Sequence, residues 1–272
     1  MKSLRRFILL FLLSAVCVYS VSYANPKLEV YQLSDELQIK QIEEDTFLVT
    51  HSFPWPANSL IVRYPNESII WVDTPYTDSA TEQVWKWIKS ELGDEKIIEI
   101  NTGFHNDNLG GNGFLFTKSI EVFGSTLTVQ LLKDYSAKTK AQILNWLKKP
   151  KFEKYFIAHS KAVYLPPTKV FDIKPDFGFD PLEGILEIYY PGPSHSMDNF
   201  VVYFPDKKLL FGGCAVRSAL SKSLGFTGDA DIPEWPISLR RVLAKYKDAV
   251  IVVPGHGEIG GLELIKHTLS LL

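Results

Sequence analysis

Twice along this chain the hydrophobic pattern switches from the two-residue period of a strand to the roughly 3.6-residue period of a helix, and this double switch is what most restricts its fold. In the first half, residues 28–39, 46–52, 59–64 and 68–73 are rich in β-branched and apolar side chains. Pro, Asn and Asp interrupt them, as expected of strands. Residues 77–92 then place Ala80, Val84, Trp85, Ile88 and Leu92 on one helical face. Ser79 and Glu82 have capping-box spacing at the start of this helix, and Gly93 supplies its stop. Residues 97–101 read as a strand again. The second half repeats the order, with strands at 184–190, 199–204 and 208–211 and an amphipathic helix at 233–246 through Leu239, Val242, Leu243 and Tyr246. An all-apolar strand at 250–253 and a closing helix at 262–272 follow. Sheet strands with a helix outside them, twice over, predict an α/β protein built as a four-layer αβ/βα sandwich. The lysine-rich stretch between the halves, residues 133–156 with Ile143, Leu144 and Leu147, reads as one or two surface helices laid over the core.

The chain has 272 residues, 46% hydrophobic and 22% charged, enough for a sizeable core. Its formal net charge of −2 suggests no polyanion-binding surface, so nucleic acid is not expected as a partner. Lys2, Arg5 and Arg6 precede an apolar run from Phe7 to Val18, and Ser22-Tyr23-Ala24 offers small residues for cleavage. That order describes a secretory signal peptide, and the run is shorter than the about 20 residues that a bilayer span needs. The expected division is a signal peptide at residues 1–24 and one domain at 25–272, exported to the periplasm with no stable membrane anchor. The two cysteines are Cys17 and Cys214, so removal of the leader leaves Cys214 without an internal disulfide partner. In an oxidising compartment such a thiol is either buried and inert or has a chemical task, and a metal thiolate is one such task.

Four strands run into loops that carry ligand-type residues. They are Asn101-Thr102-Gly103-Phe104-His105-Asn106-Asp107, Pro191-Gly192-Pro193-Ser194-His195, Gly212-Gly213-Cys214, and Pro254-Gly255-His256-Gly257. Together they supply imidazole, carboxylate and thiolate, the ligand set of zinc. Glycines beside each one allow close approach of backbone. A lone histidine is commonly structural, and a lone cysteine in a glycine turn is commonly a small hydrophobe. Here three of the six histidines share these loops with Cys214, whereas His51, His159 and His267 lack such surroundings and read as structural or solvent-facing. Leu109-Gly110-Gly111-Asn112-Gly113 lacks the Lys-Ser/Thr of a phosphate loop.

These segments resemble the motifs of the metallo-β-lactamase family, in that family's order and over nearly all of residues 25–272. Residues 101–107 resemble its H-x-H-x-D segment, residues 192–199 its third-histidine loop, Leu210-Phe211-Gly212-Gly213-Cys214 the cysteine segment of its B1 and B2 subclasses, and Val253-Pro254-Gly255-His256-Gly257 its last histidine loop. The resemblance is B1-like and implies two zinc sites, one matching Gly103, His105 and His195 and the other matching Asp107, Cys214 and His256. The departure is Gly103, which stands where the first histidine belongs and has no side chain to offer. Loss of one ligand leaves two at the first site, where a catalytic zinc takes three plus water. The expectation is one zinc at Asp107, Cys214 and His256, with a weak second at high metal as the alternative. Gly103→His is expected to raise second-zinc occupancy.

The resemblance further implies hydrolysis of the β-lactam ring amide of antibiotics, carbapenems among them, by a monomer acting on a small molecule. His105 and Asp107 are the candidates to orient and deprotonate the attacking water. Arg217 takes the place of a substrate-binding lysine, and arginine can pair with a carboxylate bidentately. Phe226 stands where many relatives have asparagine, while Phe53 and Trp55 lie where the family has a mobile flap. Asp73 is the candidate to support a ligand from behind, and Asn108 replaces a common arginine with no assigned effect. Two further readings stay open: a thioester or lactone hydrolase on the same fold, and a metal-binding protein that has lost catalysis.

Overall fold

The computed structural model describes residues 28–272, so the predicted signal peptide lies outside the described residues. The chain begins with an antiparallel meander of β1 (Val30–Ser34), β2 (Leu37–Glu43), β3 (Thr46–Ser52), β4 (Pro56–Tyr64) and β5 (Ser68–Val72). Helix α1 (Asp78–Trp87), prolonged by a wider turn over Ile88–Leu92, crosses to β6 (Lys96–Ile100), which runs parallel to β5. Two short helices follow, α2 (Asn106–Leu109) and α3 (Asn112–Thr117), and then β7 (Glu121–Ser125). The long α4 (Thr126–Trp146) and α5 (Glu153–Lys161) precede the short strands β8 (Lys169–Phe171) and β9 (Phe177–Phe179). The second half comprises β10 (Glu187–Tyr190), β11 (Val201–Phe204), β12 (Leu209–Arg217), α6 (Trp235–Lys245), β13 (Ile251–His256) and α7 (Glu263–Leu271). Among the described residues the strands form an eight-stranded sheet in the order β1 to β8 and a five-stranded sheet in the order β13-β12-β11-β10-β9.

The layers follow from where the apolar faces go. Leu60, Val62, Ile70, Val72 and Ile98 of the first sheet meet Ile188, Val202, Phe204, Phe211 and Val253 of the second in one shared core. The outer face of the first sheet, through Ile61, Ile69, Trp71 and Ile97, is covered by Val84, Trp87 and Ile88 of the α1 segment and by Phe114 and Leu115 of α3. The outer face of the second, through Val201, Tyr203, Leu210 and Val252, is covered by Trp235, Leu239 and Val242 of α6 and by Leu264 and Ile265 of α7. Helix, sheet, sheet, helix is the expected four-layer αβ/βα sandwich. No helix among the described residues is long and apolar enough to cross a membrane.

Several local expectations are corrected. Residues 28–39 form two strands rather than one, because Asp35 and Glu36 turn the chain between β1 and β2. The cap of α1 is Thr77, not Ser79: the Thr77 hydroxyl accepts the Ala80 N–H at 3.2 Å. Glu82 instead pairs with Lys86 one turn on, at 2.9 Å. Gly93 does end the helical segment, at a φ of 113°. The strand expected at residues 208–211 runs on to Arg217, and the one at 250–253 runs on to His256. Cys214 and His256 therefore sit within strands, not in loops after them. The parallel β12–β13 register is irregular between Phe211 and Gly213 and again between Gly213 and Arg217. The two glycines break the apolar pattern while the backbone pairing continues past them.

Candidate metal centre

The ligand-type residues gather at one edge of the sandwich. Asp107 lies in the first turn of α2, just beyond β6, while Cys214 and His256 come from adjacent parallel strands of the other sheet. One potential ligand atom from each lies within 4.8 Å of the others. His256 Nε2 is 3.0 Å from Asp107 Oδ2, and Cys214 Sγ is 3.5 Å from the same oxygen. His256 Nδ1 is 2.6 Å from the Pro56 carbonyl oxygen at the start of β4. A carbonyl can only accept, so Nδ1 carries a proton and donates to Pro56, which leaves Nε2 as the nitrogen turned toward Asp107 and the one a metal would take. Gly255 makes this convergence possible: a Cβ there would stand 2.7 Å from the Cys214 backbone nitrogen.

Cys214 is 3% exposed, and burial, then Asp107 and Asp73, push its thiol well above its ordinary range. Burial would also raise Asp107, but the His256 hydrogen bond and the surrounding imidazoles outweigh it and hold the carboxyl below its usual range. A carboxylate, a sulfur and an imidazole nitrogen turned toward one another form an electron-rich cluster. That donor set fits a divalent zinc ion, which deprotonates a coordinating thiol outright.

Behind the cluster, Asp73 is 1% exposed and directly follows β5, at a φ of 58°. Its carboxylate accepts from Thr102 N at 2.7 Å, Thr102 Oγ1 at 2.8 Å and Asn108 Nδ2 at 2.8 Å. The same Asn108 amide lies 3.7 Å from Cys214 Sγ, within reach of a sulfur-accepted hydrogen bond. Asn108, with no effect assigned from sequence, thus connects Asp73 to the thiol.

The second group of residues is differently placed. His105 Nε2 is 3.0 Å from Asp229 Oδ2, and its ring stands edge-on to His195 at 5.3 Å between centroids. Burial works to lower His105, yet the Asp229 hydrogen bond and the carboxylates of Asp107 and Asp198 raise it overall. His195, buried and next to His105, is pushed down to about 3, and its Nδ1 has no hydrogen-bond partner among the described residues. At Gly103 a Cβ would come within 2.4 Å of Asn199 Nδ2 and 3.0 Å of Asn108 Oδ1. The space a histidine would need is taken up by an amide whose Oδ1 accepts the Ser196 N–H at 2.8 Å.

Asp107, His256, His105 and His195 line a cleft of about 850 Å³, in the range of small-molecule sites. Arg217, Phe226 and Trp55, the candidates for substrate contact, are among its lining residues. Arg217 Nε is buried without a hydrogen-bond partner, and the side chain makes no ion pair among the described residues. Phe53 does not line the cleft. Its half-buried ring packs instead on His51 at 5.1 Å, Tyr155 at 4.9 Å and His159 at 5.4 Å, an aromatic nest. His51 and His159 are buried there; His51 Nδ1 accepts the Tyr76 N–H at 3.2 Å. Sequence reasoning assigned no part to Asp229, Asn199 or the cleft-facing side of α4, where Gln142, Ile143 and Trp146 lie. A tryptophan in a lysine-rich stretch was the one available signal for the last.

Comparison with known proteins decides the family. Residues 53–256 match the model of the metallo-β-lactamase superfamily. The chain belongs to that superfamily. It is 30% identical over 253 residues to a metallo-β-lactamase type 2 of Bacteroides fragilis, covering 89% of this chain and 87% of the relative. With a metallo-β-lactamase type 2 of Pseudomonas aeruginosa it shares 32% identity over 245 residues, 86% of this chain and 83% of the other. Among solved structures, the DIM-1 metallo-β-lactamase superposes with a TM-score of 0.72 at 33% identity, covering 89% of this chain and 98% of that one. A metallo-β-lactamase from Pontibacter korlensis gives a TM-score of 0.65 at 31% identity, covering 90% and 98%. The family and fold expected from the four motifs are those found.

Proposed function

We propose that this superfamily member is an exported, monomeric enzyme that hydrolyses the β-lactam ring amide with one tightly held zinc. The observation that carries the reading is the convergence of Asp107, Cys214 and His256, with His256 Nδ1 held by Pro56, beside a cleft lined by Arg217, which has no ion-pair partner among the described residues. Asp107, Cys214 and His256 would hold the zinc. Zinc held there supplies a Lewis acid that stabilises negative charge developing on the substrate.

The remaining chemistry belongs to the chain. Arg217 offers guanidinium N–H donors to the substrate carboxylate and so orients the ring. His105 has Nε2 engaged by Asp229, which leaves Nδ1 to take a proton from a water in the cleft. The hydroxide oxygen then bonds to the carbonyl carbon, the ring C–N bond breaks, and the nitrogen takes the proton from the His105 imidazolium. Asp229 stabilises the imidazolium in the interval. His195, pushed down to about 3, stays neutral beside it. Gly103 contributes nothing to a second metal position, and Asn199 occupies the space an imidazole would need.

Native mass spectrometry at graded zinc, paired with hydrolysis of a carbapenem with and without chelator, tests the reading. One zinc bound tightly and turnover lost with chelator are expected, and Cys214→Ala should lose both. Two zincs held at stoichiometric metal would overturn the one-zinc reading, zinc binding without turnover the enzyme reading, and turnover surviving Cys214→Ala the metal assignment.

A further inference from the structure

Helix α4 is not merely a surface insert. Ser125 caps it by accepting the Thr128 N–H at 2.9 Å, and Thr128 Oγ1 donates to Asp198 at 2.8 Å in the loop that carries His195. Leu131 and Leu132 pack against Phe104 and Leu109 beside the metal-ligand candidates, and Ile143 is buried near the other end. The helix is therefore held at both ends, and its last residue, Trp146, stands over the cleft.

Trp146 meets two aromatic rings from distant segments. Its ring is edge-on to Phe226 at 5.2 Å and 73°, and edge-on to Trp55 at 5.9 Å and 87°. Phe226 in turn lies 6.2 Å from the His105 ring. An aromatic row thus leads outward from His105 through Phe226 and Trp146 to Trp55, all along the cleft. The row is not sealed in the core: Trp146 and Phe226 are half-buried and Trp55 is 41% exposed. The Phe226 ring is seated over Gly228, where a Cβ would stand 2.5 Å from it. Large rings left partly wet at the mouth of a cleft, in edge-to-face contact with one another, offer a ready surface for another aromatic group. Arg217, without an ion-pair partner among the described residues, makes the same cleft attractive to an anion.

We infer that Trp146 is a specificity-determining residue, forming with Trp55 and Phe226 a clamp for an aryl side group of the substrate. The inference rests on the β-lactam reading above and deepens it: the favoured substrates carry a carboxylate and an aromatic amide substituent.

Steady-state kinetics of the zinc-loaded full chain test it with two substrates, a penicillin bearing a phenylacetyl side chain and the bare aminopenicillanic acid nucleus. Trp146→Ala should raise KM for the first about tenfold, as loss of one well-packed ring implies, with kcat and the nucleus little changed. Trp146→Phe should restore most of the loss, which a collapse of α4 would not allow. Equal changes for both substrates, or none for either, overturn the clamp. Should the wild type hydrolyse neither compound, calorimetry with phenylacetylglycine against acetylglycine judges the clamp alone, and the β-lactam reading fails only where a carbapenem is left intact as well. Weakening of only the phenylacetyl compound by Trp146→Ala supports it; equal or undetectable binding of both overturns it.

Discussion

His256 Nδ1 lies 2.6 Å from the carbonyl oxygen of Pro56, so the strand that follows the Phe53–Trp55 turn sets the tautomer of a metal-ligand candidate. Pro56 is 200 residues earlier in the chain and in the other sheet. Nitrogen-detected NMR of the zinc-free protein should show His256 as the Nδ1–H tautomer, and zinc should shift Nε2 far more than Nδ1. An Nε2–H tautomer would mean that the backbone does not orient this ring.

Gly103 and Asn199 should behave as a pair. The amide that a Cβ at Gly103 would meet at 2.4 Å is the tip of a side chain, so it can move, but moving it gives up the hydrogen bond from Ser196 N. The expected rise in second-zinc occupancy from Gly103→His alone is therefore small. Gly103→His combined with Asn199→Ala should bind a second zinc more tightly than either single variant, at a cost of about 1 kcal/mol in stability for the lost bond. Native mass spectrometry at graded zinc and chemical denaturation read the two effects, and additive behaviour would show that the residues are independent.

Gly255→Ala should be harmful out of proportion to its size. The added carbon would stand 2.7 Å from Cys214 N and 2.8 Å from Gly213 C, backbone atoms that cannot swing aside. Separation of β12 from β13 should cost about 1–3 kcal/mol of stability, and zinc affinity should fall because Cys214 and His256 are moved apart. Competition with a metal-binding dye measures the second effect; unchanged affinity would mean that the strands absorb the strain elsewhere.

Acid should destabilise the protein partly through His51. Burial, opposed by Glu36 and reinforced by His159, pushes this imidazole down to about 4 from an ordinary 6.5. The unfolded chain takes up a proton below about 6.5 that the folded chain refuses until about pH 4. The stability is thus full above pH 6.5 and falls as pH drops to 4, by about 3 kcal/mol if the whole shift is expressed. His51→Asn, which retains an acceptor for Tyr76 N–H, should flatten the dependence of unfolding free energy on pH in that window relative to wild type. Parallel curves for the two proteins would show that His51 does not titrate differently on folding.

The sandwich could be read in the residues because periodicity is a local property. Ala80, Val84, Ile88 and Leu92 mark their helix by spacing alone, and Val252 and Val253 mark a buried strand by lacking polar neighbours. The ligand candidates could be read for a similar reason, since Asp107, Cys214 and His256 each lie near glycines in short segments with few other roles. Strand ends were harder to read: Gly212 and Gly213 interrupt the apolar run without interrupting the hydrogen-bonded ladder.

The order of the amino acids therefore determined by itself the alternation of sheet and helix, the four segments that carry donors, and a residue with no side chain at Gly103. Only the folded chain decided that Asn199 takes up the room at Gly103, that Asp229 holds His105, that Phe53 turns into a nest of rings, and that Trp146 overhangs the cleft. The physical reason is range. A hydrophobic period is set by neighbours three or four residues away, whereas each of these contacts joins segments whose separation along the chain carries no trace of their distance in space.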